Sequence, residues 1–180
     1  MATLISRPQP GEYADFYAGY VKAIEHERDA IVALERQLPA LRAIESLTPE
    51  RASFRYADGK WSVRQVVGHM ADAERIFTYR LLCIARSDET PLPSFDENQY
   101  ANTSNADTRE IGALGAELVA IRESALALVR GLDEFSLGRI GTASGKPVSV
   151  RALAFITAGH AAHHLRILRE RYRVELPNPD

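Results

Sequence analysis

Apolar residues recur at helical spacing in four long stretches of this chain, and nowhere do they show the alternation that a half-buried strand requires. The first stretch runs from about Gly11 to Leu47, with Phe16, Tyr20, Ile24, Ile31, Leu34, Leu38 and Leu41 falling three, four or seven residues apart. Pro39 removes a backbone donor inside it and predicts a kink or a split. The second begins at Trp61-Ser62-Val63-Arg64-Gln65-Val66, where Ser62 and Gln65 match a capping box and Trp61 can staple onto Val66. It continues to about Arg86 on a stripe of Val63, Val67, Met70, Phe77, Leu81 and Ile84. Asp107 with Glu110 matches a second capping box and opens the third, which carries Leu114, Leu118, Ile121, Ala125 and Leu128 and stops near Gly131. Ser149 caps the fourth, with Val148 and Leu153 placed to staple, and this helix extends to about Tyr172. Four amphipathic helices of this kind predict an all-α four-helix bundle.

The length of 180 residues suits one core, so residues 1–180 are expected to form a single domain. Between the second and third helices lies a polar, proline-bearing connection from Ser87 to Ala106, long enough to cross the bundle. Within it, the loop Pro91 to Tyr100 carries Asp96, Glu97, Asn98 and Tyr100; bordering a pocket and being an ordinary solvated crossover have equal weight. Gly141, Thr142, Ser144 and Gly145 indicate turns before Pro147, and Leu176 to Asp180 reads as a frayed end.

With 22 basic and 24 acidic residues the net charge is −2, too little positive field to attract a polyphosphate, so nucleic acid is not an expected partner. No run of about 18 apolar residues offers a membrane span, and Met1 to Gly11 has no leader-like pattern, which makes a cytoplasmic protein the expectation. Cys83 is the only cysteine, so no internal disulfide or cysteine-based zinc finger can form. Its neighbours Leu81, Leu82 and Ile84 predict a packing role. Any bound metal must be held by histidine and carboxylate.

Three histidines lie where the pattern demands apolar residues. At about 100° per residue, His160 and His164 share a stripe with Leu153, Thr157, Ala161 and Leu168. Residues four apart on a helix have neighbouring side chains, close enough to converge on one ion. His69 sits at the edge of the second helix's stripe beside Val66, Ala73 and Ile76, at a depth that antiparallel packing would bring nearly level with the pair. Three separate hydrogen-bonded core histidines are the alternative, but one cation satisfies all three rings, and Ala73, Thr157 and Ala161 leave space for it. His163 projects about 100° away from His164, which suits packing or support of a ligand. His26, flanked by Glu25, Glu27 and Arg28, reads as a surface residue. Asp72 can orient His69 or supply a fourth ligand, with a solvated carboxylate equally open. Glu74 projects near the apolar stripe, where it needs an arginine such as Arg166 or Arg171, or else faces the pocket.

These residues give the chain a resemblance to the DinB/YfiT-like superfamily (DinB_2 type) of metal-dependent enzymes. The likeness rests on Gly59-Lys60-Trp61-Ser62-Val63 leading to His69, on Glu74-Arg75, on Leu92-Pro93-Ser94-Phe95-Asp96-Glu97, and on His160-Ala161-Ala162-His163-His164-Leu165. It covers nearly the whole chain. The resemblance implies a bundle in up-down-down-up order, with the Ser87 to Ala106 segment as its crossover. It also implies a divalent metal, zinc or nickel, on His69, His160 and His164. Related bundles often dimerise, so a homodimer stays open.

Members with assigned activities include transferases and isomerases that use a low-molecular-weight thiol as co-substrate, and YfiT-like members are described as hydrolases. The expected function is therefore a hydrolase or thiol transferase acting on a small molecule through metal-bound water or thiolate, because three neutral ligands leave a coordination position open. Asp72, Glu74, Asp96 and Glu97 are the candidate catalytic carboxylates, and geometry must choose among them. A non-catalytic metal-binding helical module, serving structure, sensing or interaction, is the alternative from another class.

Overall fold

The computed structural model describes residues 4–178. The first arm of the bundle comprises α1 (Ala18–Ala23), α2 (Ala30–Arg36) and α3 (Leu38–Ala43), flanked by 3-10 turns at Asp15–Tyr17 and Ile44–Ser46. A short α4 (Pro49–Ser53) leads into α5 (Val63–Ala85). Next come α6 (Glu97–Thr103), a 3-10 turn at Ala106–Thr108 and α7 (Ile111–Arg130). After α8 (Glu134–Leu137), a hairpin of β1 (Ile140–Ala143) and β2 (Lys146–Ser149) runs straight into α9 (Val150–Glu170). No helix among the described residues is long and apolar enough to cross a membrane.

Side-chain contacts fix the direction of each arm. Tyr172 Oη donates to the Trp61 carbonyl at 2.7 Å, so the end of α9 meets the start of α5 and the two run antiparallel. Arg64 Nε donates to the Arg109 carbonyl at 2.9 Å, and Arg75 pairs with Glu117 at 2.6 Å, which sets α5 parallel to α7. Glu35 and Glu123 meet Arg130 and Arg42 at 2.5 Å, so the first arm opposes α7. The order is up-down-down-up, and the connection between α5 and α7 crosses the bundle.

Local chemistry explains where the helices begin. Ser62 Oγ accepts from Gln65 N at 3.0 Å while Gln65 Oε1 accepts from Ser62 N at 3.1 Å, completing the expected capping box of α5. Ser149 caps α9 by accepting from Ala152 N at 3.0 Å. The expected box at Asp107 and Glu110 does not form: Glu110 stands at the N-cap of α7 without a side-chain bond. Asp107 instead accepts from Ser62 Oγ and, at 2.6 Å, from Arg55, stronger partners that tie it to the start of α5.

Other expectations are corrected by the fold. The first arm breaks twice, not only near Pro39. Ile24 leaves helical geometry, and Asp29 restarts the helix by accepting from Ile31 N at 2.9 Å. Pro39 falls in the first turn of α3, where its missing N–H is not needed. Phe16 is exposed, not a core residue. The crossover contains α6, capped by Asp96 through Asn98 N and Gln99 N at 2.9 and 3.0 Å. The supposed turn region before α9 is a hairpin, closed by Ser144 and Gly145 at φ +53° and +71°, the left-handed pair that a tight two-residue turn requires. It is stitched to the crossover where Leu92 N donates to the Thr142 carbonyl at 2.9 Å and Ser144 N to the Leu92 carbonyl at 3.0 Å. Asn178 and the preceding tail are described, with Arg169 bound to the Pro177 carbonyl at 3.0 Å, while Pro179 and Asp180 of the expected frayed end lie outside the described residues.

The centre of the bundle holds a polar clamp. Arg122, with no exposed surface, donates through Nε and Nη2 to both oxygens of buried Glu74 at 2.6 and 2.8 Å. Its Nη1 reaches the Leu34 carbonyl and Gln37 Oε1 at 3.0 and 2.8 Å, and Gln37 Nε2 donates to the Ala158 carbonyl at 2.8 Å. All four arms are thereby joined. Glu74 thus pairs with Arg122 of α7, not with Arg166 or Arg171, and it does not face the pocket.

Close approach of α1 to α9 depends on Gly159, because a Cβ there would come well within 3.0 Å of the Tyr20 carbonyl oxygen. Gly159→Ala is expected to push α1 away and to cost about 1–3 kcal/mol or more by overpacking. Thermal melting checks the loss. Since Tyr20 packs on the ring of His160 with centroids 5.2 Å apart, weakened metal retention should accompany it.

Candidate metal centre

Antiparallel packing of α5 on α9 brings His69 level with His160 and His164. One nitrogen from each lies within 4.8 Å of the others, and all three residues are buried. His69 Nε2 stands 3.1 Å from His160 Nε2, and ring centroids are 4.5 to 5.0 Å apart. Trp61 packs on His69 at 4.9 Å and Phe77 on His160 at 5.4 Å, so aromatic rings restrict how far the imidazoles can turn. The cluster forms one wall of a cavity of about 360 Å³, whose other lining includes Tyr17, Arg80, Phe95, Glu97 and Ser144.

The donor set suits a divalent cation. Burial holds the His160 and His164 imidazolium forms well below their ordinary range, and neighbouring histidines reinforce the effect. Burial likewise brings His69 down to about 4, against a smaller opposing pull from Glu97. At neutral pH the rings are uncharged and offer lone pairs. Buried His164 Nδ1 has no hydrogen-bond partner among the described residues, which a metal-free core does not explain. Ligand atoms about 2.1 Å from a tetrahedral ion lie about 3.4 Å from one another, so the three nitrogens, now within 4.8 Å, need shift by no more than about 1.4 Å to close the set.

The same burial predicts a pH dependence for the metal-free protein. An unfolded histidine titrates near 6.5, whereas His69 in the fold titrates at about 4. Between these values the unfolded chain binds the extra proton, so stability falls as pH is lowered from about 6.5 and levels off below about 4. From His69 alone the loss between pH 7 and pH 5 is about 2 kcal/mol, with His160 and His164 adding in the same direction. Melting of chelator-treated protein across that range measures it; a transition that moves up on acidification contradicts it.

The candidate carboxylates separate cleanly. Glu97 lines the cavity, and its charge acts on both His69 and Tyr20. Glu74 is taken by Arg122, and Asp96 by the start of α6. Asp72 lies 3.6 Å from Arg75, in the charge field of Glu117 and Arg109 and outside the histidine cluster, so it neither orients His69 nor completes the set. His163 is half-exposed at the cavity edge, its ring 5.6 Å from Tyr20, and it stays outside the cluster. Phe95 and Glu97 confirm that the crossover borders the pocket.

Sequence reasoning missed Tyr17, Arg80 and Ser144. Only Arg80 left a signal: it follows His69 by eleven residues, close to three full helical turns, and so shares its face.

Fold and site together define a helical-bundle protein with a buried three-histidine cluster open to a cavity. The chain belongs to the DinB superfamily, whose model matches residues 33–168. A relative from Oceanobacillus iheyensis, "Putative metal-dependent hydrolase OB0413", is 30% identical over 125 residues, covering 68% of this chain and 70% of its own. "Putative metal-dependent hydrolase YfiT" from Bacillus subtilis is 25% identical over 151 residues, covering 81% and 84% respectively. A solved structure of YfiT from Bacillus subtilis, with an unusual four-helix bundle topology, superposes with a TM-score of 0.69 at 22% identity over 92% of this chain and 91% of that one. That likeness speaks to the fold.

Proposed function

We propose that this chain is a metal-dependent hydrolase of a small molecule, in which His69, His160 and His164 hold zinc or nickel and Glu97 accepts a proton from the attacking water. The observation that carries the reading is the convergence of three uncharged, buried imidazoles on the wall of a cavity large enough for a small substrate. The names of the relatives agree with it. When bound, the cation supplies Lewis acidity, acidifying water and polarising a substrate oxygen.

The protein's own groups do the rest. His69, His160 and His164 are kept neutral by burial, so no proton has to leave before they donate their lone pairs. Trp61, Tyr20 and Phe77 fix the rings and exclude bulk water from one side of the cluster. Glu97 stands in the cavity near His69, on a helix whose start Asp96 anchors, where its carboxylate can take and return a proton.

The test is a panel of small esters, amides and lactones given to untagged protein of known metal content. Glu97→Gln is expected to keep its metal and to lose about 100- to 10,000-fold in kcat. Hydrolysis unaffected by Glu97→Gln removes that residue from the mechanism. Absence of hydrolysis, with metal-centred spectra of the cobalt form changing on addition of a low-molecular-weight thiol, replaces hydrolysis by thiol transfer.

A further inference from the structure

Arg80 and Arg122 are the two largest fully buried side chains among the described residues, yet they are treated differently. Arg122 is neutralised by Glu74. Arg80, only 2% exposed, has no carboxylate within ion-pair distance among the described residues; its acceptors are Tyr17 Oη at 3.1 Å, the Pro93 carbonyl at 2.5 Å and Ser144 Oγ at 3.2 Å. A guanidinium removed from water and bonded only to neutral groups is costly unless its charge has a use. Arg80, Tyr17 and Ser144 all line the cavity that the histidine cluster walls.

We infer that Arg80, with the hydroxyls of Tyr17 and Ser144, binds a carboxylate of the substrate and so directs the substrate's other end to the histidines. The inference rests on that cavity being the reaction site. Eleven residues on α5 separate His69 from Arg80 along one helix face, roughly 16 Å at the backbone, and both side chains reach into the space between. The substrate is therefore elongated, anionic at one end and hydrolysable at the other. Phe77, between the two residues on α5, and Phe95 give its middle an apolar setting.

A carboxylate fits better than a phosphate. The guanidinium fork matches its two oxygens, and the single cation matches its single charge. A phosphate dianion would meet one arginine, with the carboxylate of Glu97 on the same cavity. The placement of all three groups is built into the fold. Ser144 sits on the left-handed turn of the hairpin, Leu92 bridges that hairpin, and Arg80 itself holds the Pro93 carbonyl next to Leu92.

The experiment is calorimetric titration with hexanoate, 1-hexanol and inorganic phosphate, on the protein as purified and again after chelation. Hexanoate is expected to bind in both forms, at least 10-fold more tightly than hexanol or phosphate. Arg80→Met should weaken it about 10- to 100-fold, as loss of a charge-assisted contact predicts. Because Arg80 also anchors the crossover, Ser144→Ala and Tyr17→Phe provide milder variants, expected to weaken hexanoate several-fold while leaving metal content unchanged. Equal binding of hexanol, preference for phosphate, binding confined to the metal-loaded form, or indifference to all three substitutions overturns the inference. Hexanoate binding that depends on Arg80, in metal-loaded protein that hydrolyses none of the esters, amides and lactones, would remove the hydrolase reading and leave the carboxylate site standing.

Discussion

Replacing His160 or His164 by alanine is expected to abolish stoichiometric metal retention while leaving the helical content of the bundle intact. Even a residue that merely supports a ligand is worth about 10- to 100-fold in affinity, so removal of one ligand from a set of three should cost at least about 100-fold. The effect must also appear in stability, because an ion that binds only the folded chain stabilises it by mass action. At about a thousand times the dissociation constant this amounts to about 4 kcal/mol, or about 8–16 °C in melting temperature for a chain of this size. Chelation should therefore lower the melting temperature of the parent protein by that amount and barely move the variants. In the metal-free state the gap between parent and variants shrinks, because the variants then lose only the packing of one ring. Undiminished metal content in either variant would falsify the assignment of the cluster, and an equal chelator effect on parent and variant would show that any ion sits elsewhere.

The helical periodicity made α5 and α9 legible because both carry strong caps and long apolar stripes, and the histidines stood out as polar residues on those stripes. Even the depth argument survives, since antiparallel packing levels His69 with His160 and His164. The third helix was legible in extent but not in phase. Its buried face runs through Leu118, Val119, Arg122, Ala125, Leu126 and Val129, leaving Ile121 and Leu128 only partly covered. A pattern that counts arginine as a surface residue rotates the stripe away from Arg122. The same bias hid Arg80 and left Glu74 with the wrong partner, because a buried charge is decided by which opposite charge another helix brings to it. The hairpin escaped notice for another reason: its strands are four residues each, include Gly141 and Pro147, and expose half of their residues. Their pairing is tertiary, secured by Leu92 from the crossover, and that contact delivers Ser144 to Arg80.

The second large effect is expected at the clamp. Arg122→Met should cost about 3–5 kcal/mol, the loss typical of leaving one member of a buried pair behind. Glu74 is 3% exposed and would have no cation in place of the two bonds it now accepts at 2.6 and 2.8 Å. The stranded carboxyl would avoid ionising, so its folded-state pKa would rise above the unfolded value near 4.3. A group raised in the fold contributes stability at low pH that disappears as pH climbs through the folded value, so the variant's deficit should grow from pH 4 to pH 7. Glu74→Leu combined with Arg122→Met removes both charges, and the double variant should recover most of the loss, to within about 1–2 kcal/mol of the parent. Recovery stays incomplete because the Leu34 carbonyl and Gln37 Oε1 lose their donor. Urea unfolding of the four proteins yields the coupling directly, and strictly additive losses would mean that the pair contributes nothing as a pair. Metal affinity is the second readout. Gln37 bridges the clamp to the Ala158 carbonyl, two residues before His160, so loosening Arg122 should also weaken the ion, with partial recovery in the double variant.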